Sequence, residues 1–288
     1  MGERLHGWRR LAGASWGPPN DPQFYGDLEV DAAILQTYLG EVRRRTGVHA
    51  TVTHLVGKAV AHGLDTVPEL RVRLWRGRDY VRETTDVFFI VADGDELTGV
   101  KITAAGSKAV VTIAEELEQR VADIREGKDA QLGRTKALME RLPGPVLRTA
   151  IKLSSVVTSG LNLDLPQVGL PRQPFGGAMV TSVGGWGVGH AYSPLASYYR
   201  VPLLVLVGAI DEKPVAVAGR VVVRPMLRLT ATFDHRYCDG LQAARFAAAV
   251  REYLANPQAF EPHLTIPEQV PRGVATVDVR ERALASEL

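Results

Sequence analysis

Alternation of apolar and polar residues near the start of the chain predicts a strand that leads into two helices. The segment Tyr25–Asp31 alternates like a strand, and residues 32–45 then place their apolar side chains at helical spacing. A second helix is predicted over Thr53–Thr66, because its apolar residues fall on one face and Pro68 lies just past its end. The order strand, helix, helix therefore opens the fold.

The following stretch predicts several strands and one more helix. Residues that favour strands are concentrated in the segments 70–75, 80–83, 86–92 and 100–103. Thr112 followed three positions later by Glu115 is a capping-box pattern, which predicts a helix through Arg125 with Gly127 as its stop.

The second half of the chain predicts an irregular segment and then further strands. Residues 128–172 contain two helical pieces separated by a Pro-Gly-Pro break. Strands are predicted over residues 178–183, 203–211 and 219–233. A short turn around Glu212–Pro214 is expected between the last two, and a helix is expected over Gly240–Leu254. The pattern as a whole predicts an α/β protein.

Composition and charge narrow the class of protein. The 288 residues are 45% apolar and 23% charged, which is typical of a soluble globular chain. A net charge of +2 gives no field for nucleic acid, and no apolar run has the length of a membrane span or a signal peptide. The single cysteine, Cys238, excludes a disulfide framework and disfavours a cysteine metal cluster. We expect a cytoplasmic protein without a metal.

The candidate chemistry lies at the junction between the last strand and the last helix. His235 follows an apolar strand, where its imidazole is suited to removing a proton from a thiol or a hydroxyl near pH 7. Asp239 can hold the local turn through a bond to an arginine, or Asp234 can cap the following helix. The alternative for His235 is a buried histidine satisfied by the backbone.

The residues around His235 also carry a family resemblance. The string from Asp234 to Gly240, DHRYCDG, resembles the DHRxxDG signature of the catalytic domain of dihydrolipoamide acyltransferases, components of 2-oxo acid dehydrogenase complexes. Its Cys-Asp-Gly ending is similar to the related signature of chloramphenicol acetyltransferase. The resemblance extends over about Gly7–Phe260. The opening order of one strand and two helices is similar to that of the family, and so is the sequence of the segment Gly176–Gly184.

The resemblance implies a fold and a set of site residues. The fold is a chloramphenicol-acetyltransferase-like two-layer sandwich with a mixed β-sheet, expected as a trimer, with one catalytic domain over residues 1–260. The family does not account for residues 261–288, whose prolines predict an extended C-terminal arm. His235 would be the general base. The hydroxyl of Thr181, or of Ser182 if the register slips, would stabilise the oxyanion, and Arg10 would pair with Asp239.

The implied activity is acyl transfer between coenzyme A and a thiol such as dihydrolipoamide, with the lipoyl group supplied by another chain. We expect a homotrimer or a higher assembly of trimers, with a lipoyl-bearing or dehydrogenase-complex protein as a possible partner. The same site would also serve a small alcohol, an amine or a carrier-bound acceptor. A non-catalytic trimeric scaffold is the third interpretation. The residues that bind coenzyme A are not predicted.

Several features differ from the family or need separate weighing. The chain is expected to be a catalytic domain alone, without a lipoyl domain. Residues 128–172 are expected to form an insert relative to the family. Its apolar face is expected to pack on the core, and the alternatives are a lid, an oligomer contact or a helix on a membrane surface. Residues Glu96–Lys101 differ from the G-L-x-x-P-V sequence that the family has at this place. The family's substrate contacts in this segment therefore cannot be assigned to these residues. Cys238 is expected to be a buried hydrophobe rather than a nucleophile, and His190 a loop residue.

Overall fold

The structure is a computed structural model that describes residues 21–93, 96–126 and 143–261. Its strands are β1 (Gln23–Asp31), β2 (Val72–Trp75), β3 (Arg78–Val81), β4 (Val87–Asp93), β5 (Glu96–Ile102), β6 (Ala178–Ser182), β7 (Leu203–Val217) and β8 (Arg220–Asp234). Its helices are α1 (Ala32–Thr46), α2 (Val52–Thr66), α3 (Val110–Arg125), α4 (Gly144–Ser155), α5 (Gly240–Ala255) and α6 (Pro257–Phe260).

One mixed sheet organises the described residues. Six strands lie in the order β1-β8-β7-β6-β4-β5, and β2 and β3 form a separate hairpin. Strand β6 runs parallel to β4 and β7, whereas the other neighbouring strands of the sheet are antiparallel. The predicted α/β class with a mixed sheet is therefore confirmed.

The sheet buries apolar residues on both of its faces. Successive residues of a strand point to opposite faces, so Phe89 of β4 belongs to the large core shared with the helices, while Phe88 packs against a smaller cluster on the other side. That second cluster includes Met179 and Leu204 from the sheet and Leu195 from the segment before β7. The helices thus cover one face, and the chain around residue 195 covers part of the other.

The hairpin formed by β7 and β8 is longer than the sequence pattern predicts. The turn expected around Glu212–Pro214 is wrong, because β7 continues to Val217 and pairs with β8 along its length. The chain reverses instead at Ala218 and Gly219, which have φ values of 50° and 78°. Two consecutive residues with positive φ match the twist of a two-residue hairpin turn, so the backbone geometry outweighs the turn propensity of the proline.

The start of α3 also differs from the capping-box prediction. The helix begins at Val110, two residues before Thr112, and its N-cap residue Ala109 offers no side-chain acceptor. The backbone N–H of Val110 donates instead to the carboxylate of Glu261, at 3.2 Å. A carboxylate supplied from the end of the described chain thus satisfies this donor, which a local pattern cannot reveal. The predicted end at Arg125 agrees with the structure, and Gly127 lies outside the described residues.

The described part of the predicted insert is anchored at its C-terminal end. Helix α4 continues into a wider π turn over Val156–Gly160, whose last three residues are buried. A Cβ added at Gly160 would lie 2.7 Å from the ring of Trp75, so glycine permits this close approach. Val146 and Leu153 of α4 remain exposed, so the apolar face is only partly covered. The helical piece predicted before Pro143 and the arm after Glu261 lie outside the described residues.

None of the helices in the described ranges has the length and apolar character needed to cross a membrane.

Two helical glycines give a matched test of the packing between α2 and the sheet. A Cβ added at Gly57 of α2 would lie 2.1 Å from the ring of the fully buried Phe89, whereas a Cβ at Gly40 of α1 meets nothing within 4 Å. We expect Gly57→Ala to lower the free energy of unfolding by about 1–3 kcal/mol through overpacking. Gly40→Ala should raise it by about 0.5–1 kcal/mol through helix propensity. Urea unfolding followed by circular dichroism measures both, and equal shifts in the two variants would contradict this packing.

Candidate active site

The loop between β8 and α5 presents His235 at the surface of the chain. The backbone N–H of His235 donates to the carbonyl oxygen of Pro22 at 2.8 Å, which ties the loop to the start of β1. The imidazole ring lies 5.0 Å from the ring of Phe24, which stacks on Phe233 at 5.1 Å. Because His235 is exposed in the single chain, it is not the buried, backbone-satisfied histidine of the alternative interpretation.

Asp234 is the buried anchor of this loop. Its side chain is 1% exposed. Arg236 donates through Nε to Oδ1 at 2.9 Å and through Nη2 to Oδ2 at 2.5 Å, and its backbone N–H also donates to Oδ1, at 3.0 Å. These bonds hold the pKa of Arg236 above its ordinary value. Asp234 therefore does not cap the following helix, because its oxygens are engaged by the residue two positions later.

Asp239 is the residue that caps α5. Its carboxylate accepts from the backbone N–H of Leu241 at 2.8 Å, and its own N–H donates to the side chain of Gln242 at 3.0 Å. This reciprocal capping box satisfies donors that a helix start leaves free. Arg10, the partner predicted for Asp239, lies outside the described residues.

Two further loop residues face inward. The hydroxyl of Tyr237 donates to the carbonyl oxygen of Arg200 at 3.1 Å and accepts from the N–H of Leu74 at 3.3 Å, so it joins the loop to the β2–β3 hairpin. Cys238 is buried, and burial raises the pKa of its thiol to about 12. A thiol with that pKa stays protonated near neutral pH, which disfavours Cys238 as a nucleophile.

Thr181 and His235 lie far apart within one chain. Thr181 of β6 is level with Leu206 of β7, and Leu206 pairs with Thr230 of β8. From Thr230 to the end of β8 is four residues, or about 13 Å along the strand, and β6 and β8 are about 10 Å apart across the sheet. The described chain therefore does not bring this hydroxyl to this imidazole. Ser182, the next residue, is level with Leu229 and so lies one residue farther from the end of β8.

The glycine-rich segment after β6 forms a tight turn beside the sheet. A Cβ at Gly184 would lie 2.6 Å from the carbonyl oxygen of Gly208 in β7, so this backbone contact requires glycine. Gly187 has a φ of 74°. His190 follows in an exposed loop, with its ring 5.3 Å from that of Tyr192.

Three arginines near the loop were not singled out by sequence reasoning. Arg73 and Arg82 are 8% and 4% exposed, and Arg200 is half-buried. Arg82 donates through Nη2 to the carbonyl oxygen of Arg200 at 2.8 Å. No motif marks these arginines, because they come from separate segments that only the fold brings together. Across the described ranges, no group of three or more histidine, cysteine or acidic side chains is placed to hold a metal ion.

Comparison with known proteins identifies a family for the segment that carries these residues. Residues 175–261 match the family model described as 2-oxoacid dehydrogenases acyltransferase (catalytic domain), a range that contains Thr181 and His235. The chain is 33% identical over 228 residues to the dihydrolipoyllysine-residue acetyltransferase component of the acetoin cleaving system of Bacillus subtilis, covering 79% of this chain and 47% of that protein. The chain spans less than half the length of the curated relatives it matches.

Two solved structures share the fold. A probable dihydrolipoamide acetyltransferase from Listeria monocytogenes has a TM-score of 0.62 and 20% identity, covering 94% of this chain and 97% of that one. The dihydrolipoamide acetyltransferase of Azotobacter vinelandii has a TM-score of 0.62 and 22% identity, covering 84% of each chain. The latter structure was determined to study a serine, a histidine and an asparagine in its catalytic mechanism. The match of residues 175–261 confirms the predicted family resemblance, and these structures confirm the predicted fold. The trimer stays a prediction.

The capping role of Asp239 gives a test that separates its oxygen from its charge. We expect Asp239→Ala to lower the free energy of unfolding by about 1 kcal/mol, because the N–H of Leu241 loses its acceptor. Asp239→Asn should leave stability nearly unchanged, because asparagine caps as well as aspartate. Chemical unfolding of both variants measures this. An asparagine variant as unstable as the alanine variant would show that the charge of Asp239, rather than its cap, stabilises the protein.

Proposed function

Because residues 175–261 belong to the catalytic-domain family of the 2-oxoacid dehydrogenase acyltransferases, we propose that the chain is an acyltransferase that moves an acyl group between coenzyme A and a thiol acceptor. The observation that carries the proposal is the exposed imidazole of His235. It stands on a loop held by the ion pair between the buried Asp234 and Arg236 and by the bond to Pro22. A fixed, solvent-accessible imidazole is the group that acid–base catalysis at neutral pH needs.

The proposed reaction follows from these groups. His235 removes the proton from the attacking thiol, and the thiolate adds to the carbonyl carbon of the thioester. A hydroxyl hydrogen bond from Thr181 stabilises the oxyanion of the tetrahedral intermediate. The intermediate then collapses, the carbon–sulfur bond to the departing thiol breaks, and that thiolate takes the proton back from His235. No acyl group is transferred to the protein in this scheme.

The separation of His235 and Thr181 supports a site shared between copies of the chain. Thr181 lies on β6 and His235 just past the end of β8, and the strand register keeps the two side chains more than about 10 Å apart along the sheet. A hydroxyl and an imidazole from different subunits would therefore have to meet. Large aromatic side chains remain exposed near both regions, among them Tyr25 (55%) and Trp186 (63%). Exposed aromatic surface of this kind favours contact with another subunit. We therefore propose a homotrimer, alone or within a higher assembly.

The acceptor and partners belong to the same proposal. Dihydrolipoamide is the proposed acceptor, with its lipoyl group carried by another chain, because the relatives are named as dihydrolipoyllysine acyltransferase components of multienzyme systems. A small alcohol, an amine or a carrier-bound thiol remains the alternative acceptor. The cytoplasmic location stays a prediction, as does the supporting role of Arg10.

Replacement of His235 tests the general base. We expect His235→Ala to lower kcat by about 10²–10⁴-fold, because the attacking thiol loses its proton acceptor. His49→Ala is the matched control, since His49 is an exposed histidine in the loop between α1 and α2 and should leave kcat unchanged. The assay follows coenzyme A release from several acyl-coenzyme A compounds with dihydrolipoamide and with the alternative acceptors. Unchanged turnover in His235→Ala would exclude this base, and no turnover with any acceptor would favour the scaffold.

Mixing two inactive variants tests the shared site. Thr181→Ala alone should lower kcat by about 10²–10³-fold, as expected for loss of an oxyanion donor. When Thr181→Ala and His235→Ala chains are unfolded and refolded together, about a quarter of the sites should combine two intact residues at random assembly of a symmetric oligomer. Turnover should rise to that fraction of the wild-type value. A mixture no more active than its components would contradict a site built from two subunits.

A further inference from the structure

An open cavity lies beside the loop that carries His235, on the side of the β2–β3 hairpin. Its volume is about 560 Å³. The walls come from four separate parts of the chain: the hairpin, the end of α4, the turn at residues 197–200 and the loop residues Arg236 and Tyr237. Neither Thr181 nor His235 lines this cavity, so it is distinct from the predicted pairing of those two side chains.

The cavity is lined by four cationic side chains and no acidic ones among the described residues. These are Arg76, Lys152, Arg200 and Arg236. Only Arg236 has a carboxylate partner there, the buried Asp234. For the other three, the described ranges contain no ion pair. Within the ranges that the structure describes, Arg76, Lys152 and Arg200 therefore carry positive charge that no carboxylate neutralises.

Arg200 is held in position by uncharged partners. Its Nη1 donates to the carbonyl oxygens of Ser155 and Tyr198, each at 3.0 Å, and its guanidinium lies 4.6 Å from the centre of the Trp75 ring. Carbonyl oxygens and an aromatic face orient a guanidinium without neutralising its full charge. The guanidinium of Arg76 and the ammonium of Lys152 lie 5.5 and 5.7 Å from the rings of Trp75 and Tyr198.

Two more arginines behind the wall add to the positive potential. Arg73 donates to the carbonyl oxygen of Gly160 at 2.5 Å, and Arg82 donates to carbonyl and amide oxygens. Burial lowers the pKa of Arg82 to about 10. The pKa of Arg200 is lowered mainly by burial and also by repulsion from Arg73 and Arg236. An anion in the cavity would relieve this repulsion.

We propose that this cavity binds the phosphate group of a small molecule. A phosphate offers several acceptor oxygens to guanidinium forks and to an ammonium, which are the groups that recognise it most strongly. The aromatic rings of Trp75 and Tyr198 provide walls for the organic part of the ligand, and the volume is in the range of small-molecule sites. The proposal requires no turnover, and it rests on the proposed function only where the phosphate is that of coenzyme A. Coenzyme A and an unrelated phosphate ester are both possible sources of the phosphate.

Binding of inorganic phosphate and of coenzyme A to the full chain, measured by titration calorimetry, tests the site. Lys152→Ala and Arg76→Ala each remove one exposed cation and should weaken binding about tenfold, as loss of a hydrogen bond to a charged group does. Arg148→Ala, one turn earlier on α4, and Arg78→Ala, on the same hairpin, are the matched controls because neither residue lines the cavity. They should change the Kd by less than about twofold, as expected for a distant, screened charge.

The two probes identify the source of the phosphate. The cavity holds the 3′-phosphate of coenzyme A if two results agree. The cavity variants should then weaken the binding of coenzyme A and of inorganic phosphate alike, and dephospho-coenzyme A should bind less tightly than coenzyme A to the wild type only. If the cavity variants weaken the binding of inorganic phosphate and leave the binding of coenzyme A unchanged, the site serves another phosphate ester. Equal binding of both probes by all variants, or equal weakening in variants and controls, would overturn the proposal. Repeating the titration with His235→Ala separates this result from failure of the acyl-transfer proposal.

Discussion

The bond between the buried carboxylate of Asp234 and the guanidinium of Arg236 holds the end of β8 and the loop beyond it. Asp234 is 1% exposed, and a buried carboxylate without a partner would cost several kcal/mol. Arg236 supplies two side-chain donors and one backbone donor to it. The residue between them, His235, is consequently turned outward, and Asp239 is left to cap α5. The geometry of the candidate site thus begins with this one ion pair.

The sheet order decides what one chain can do by itself. The parallel placement of β6 beside β7 puts Thr181 level with Leu206, near the start of β7, whereas His235 lies past the end of β8. The proposed base and oxyanion donor therefore lie at separate places on the same sheet, two strands apart and at different levels along them. An oligomer would bring Thr181 of one copy to His235 of another, so association becomes part of the proposed chemistry rather than an addition to it.

The same loop also connects the candidate site to the cationic cavity. His235 points to solvent beside Phe24, while Arg236 and Tyr237 line the cavity on the side of the β2–β3 hairpin. Tyr237 bridges Leu74 and Arg200, so the hairpin, the turn before β7 and the loop form one connected structure. A ligand bound by Arg200 would therefore contact the residues that position the loop.

The sequence alone determined the order of elements, the α/β class and the family resemblance, because apolar periodicity and the DHRYCDG string are local properties of the chain. It also pointed to His235 and Thr181 as candidate residues, whose roles stay predictions. The tertiary structure decided what local patterns cannot encode. Glu261 rather than a capping box meets the start of α3, a backbone turn at Ala218 and Gly219 replaces one near Pro214, and four cations from separate segments meet in one cavity. Each depends on residues distant in sequence or on backbone pairing, which only the folded chain brings together.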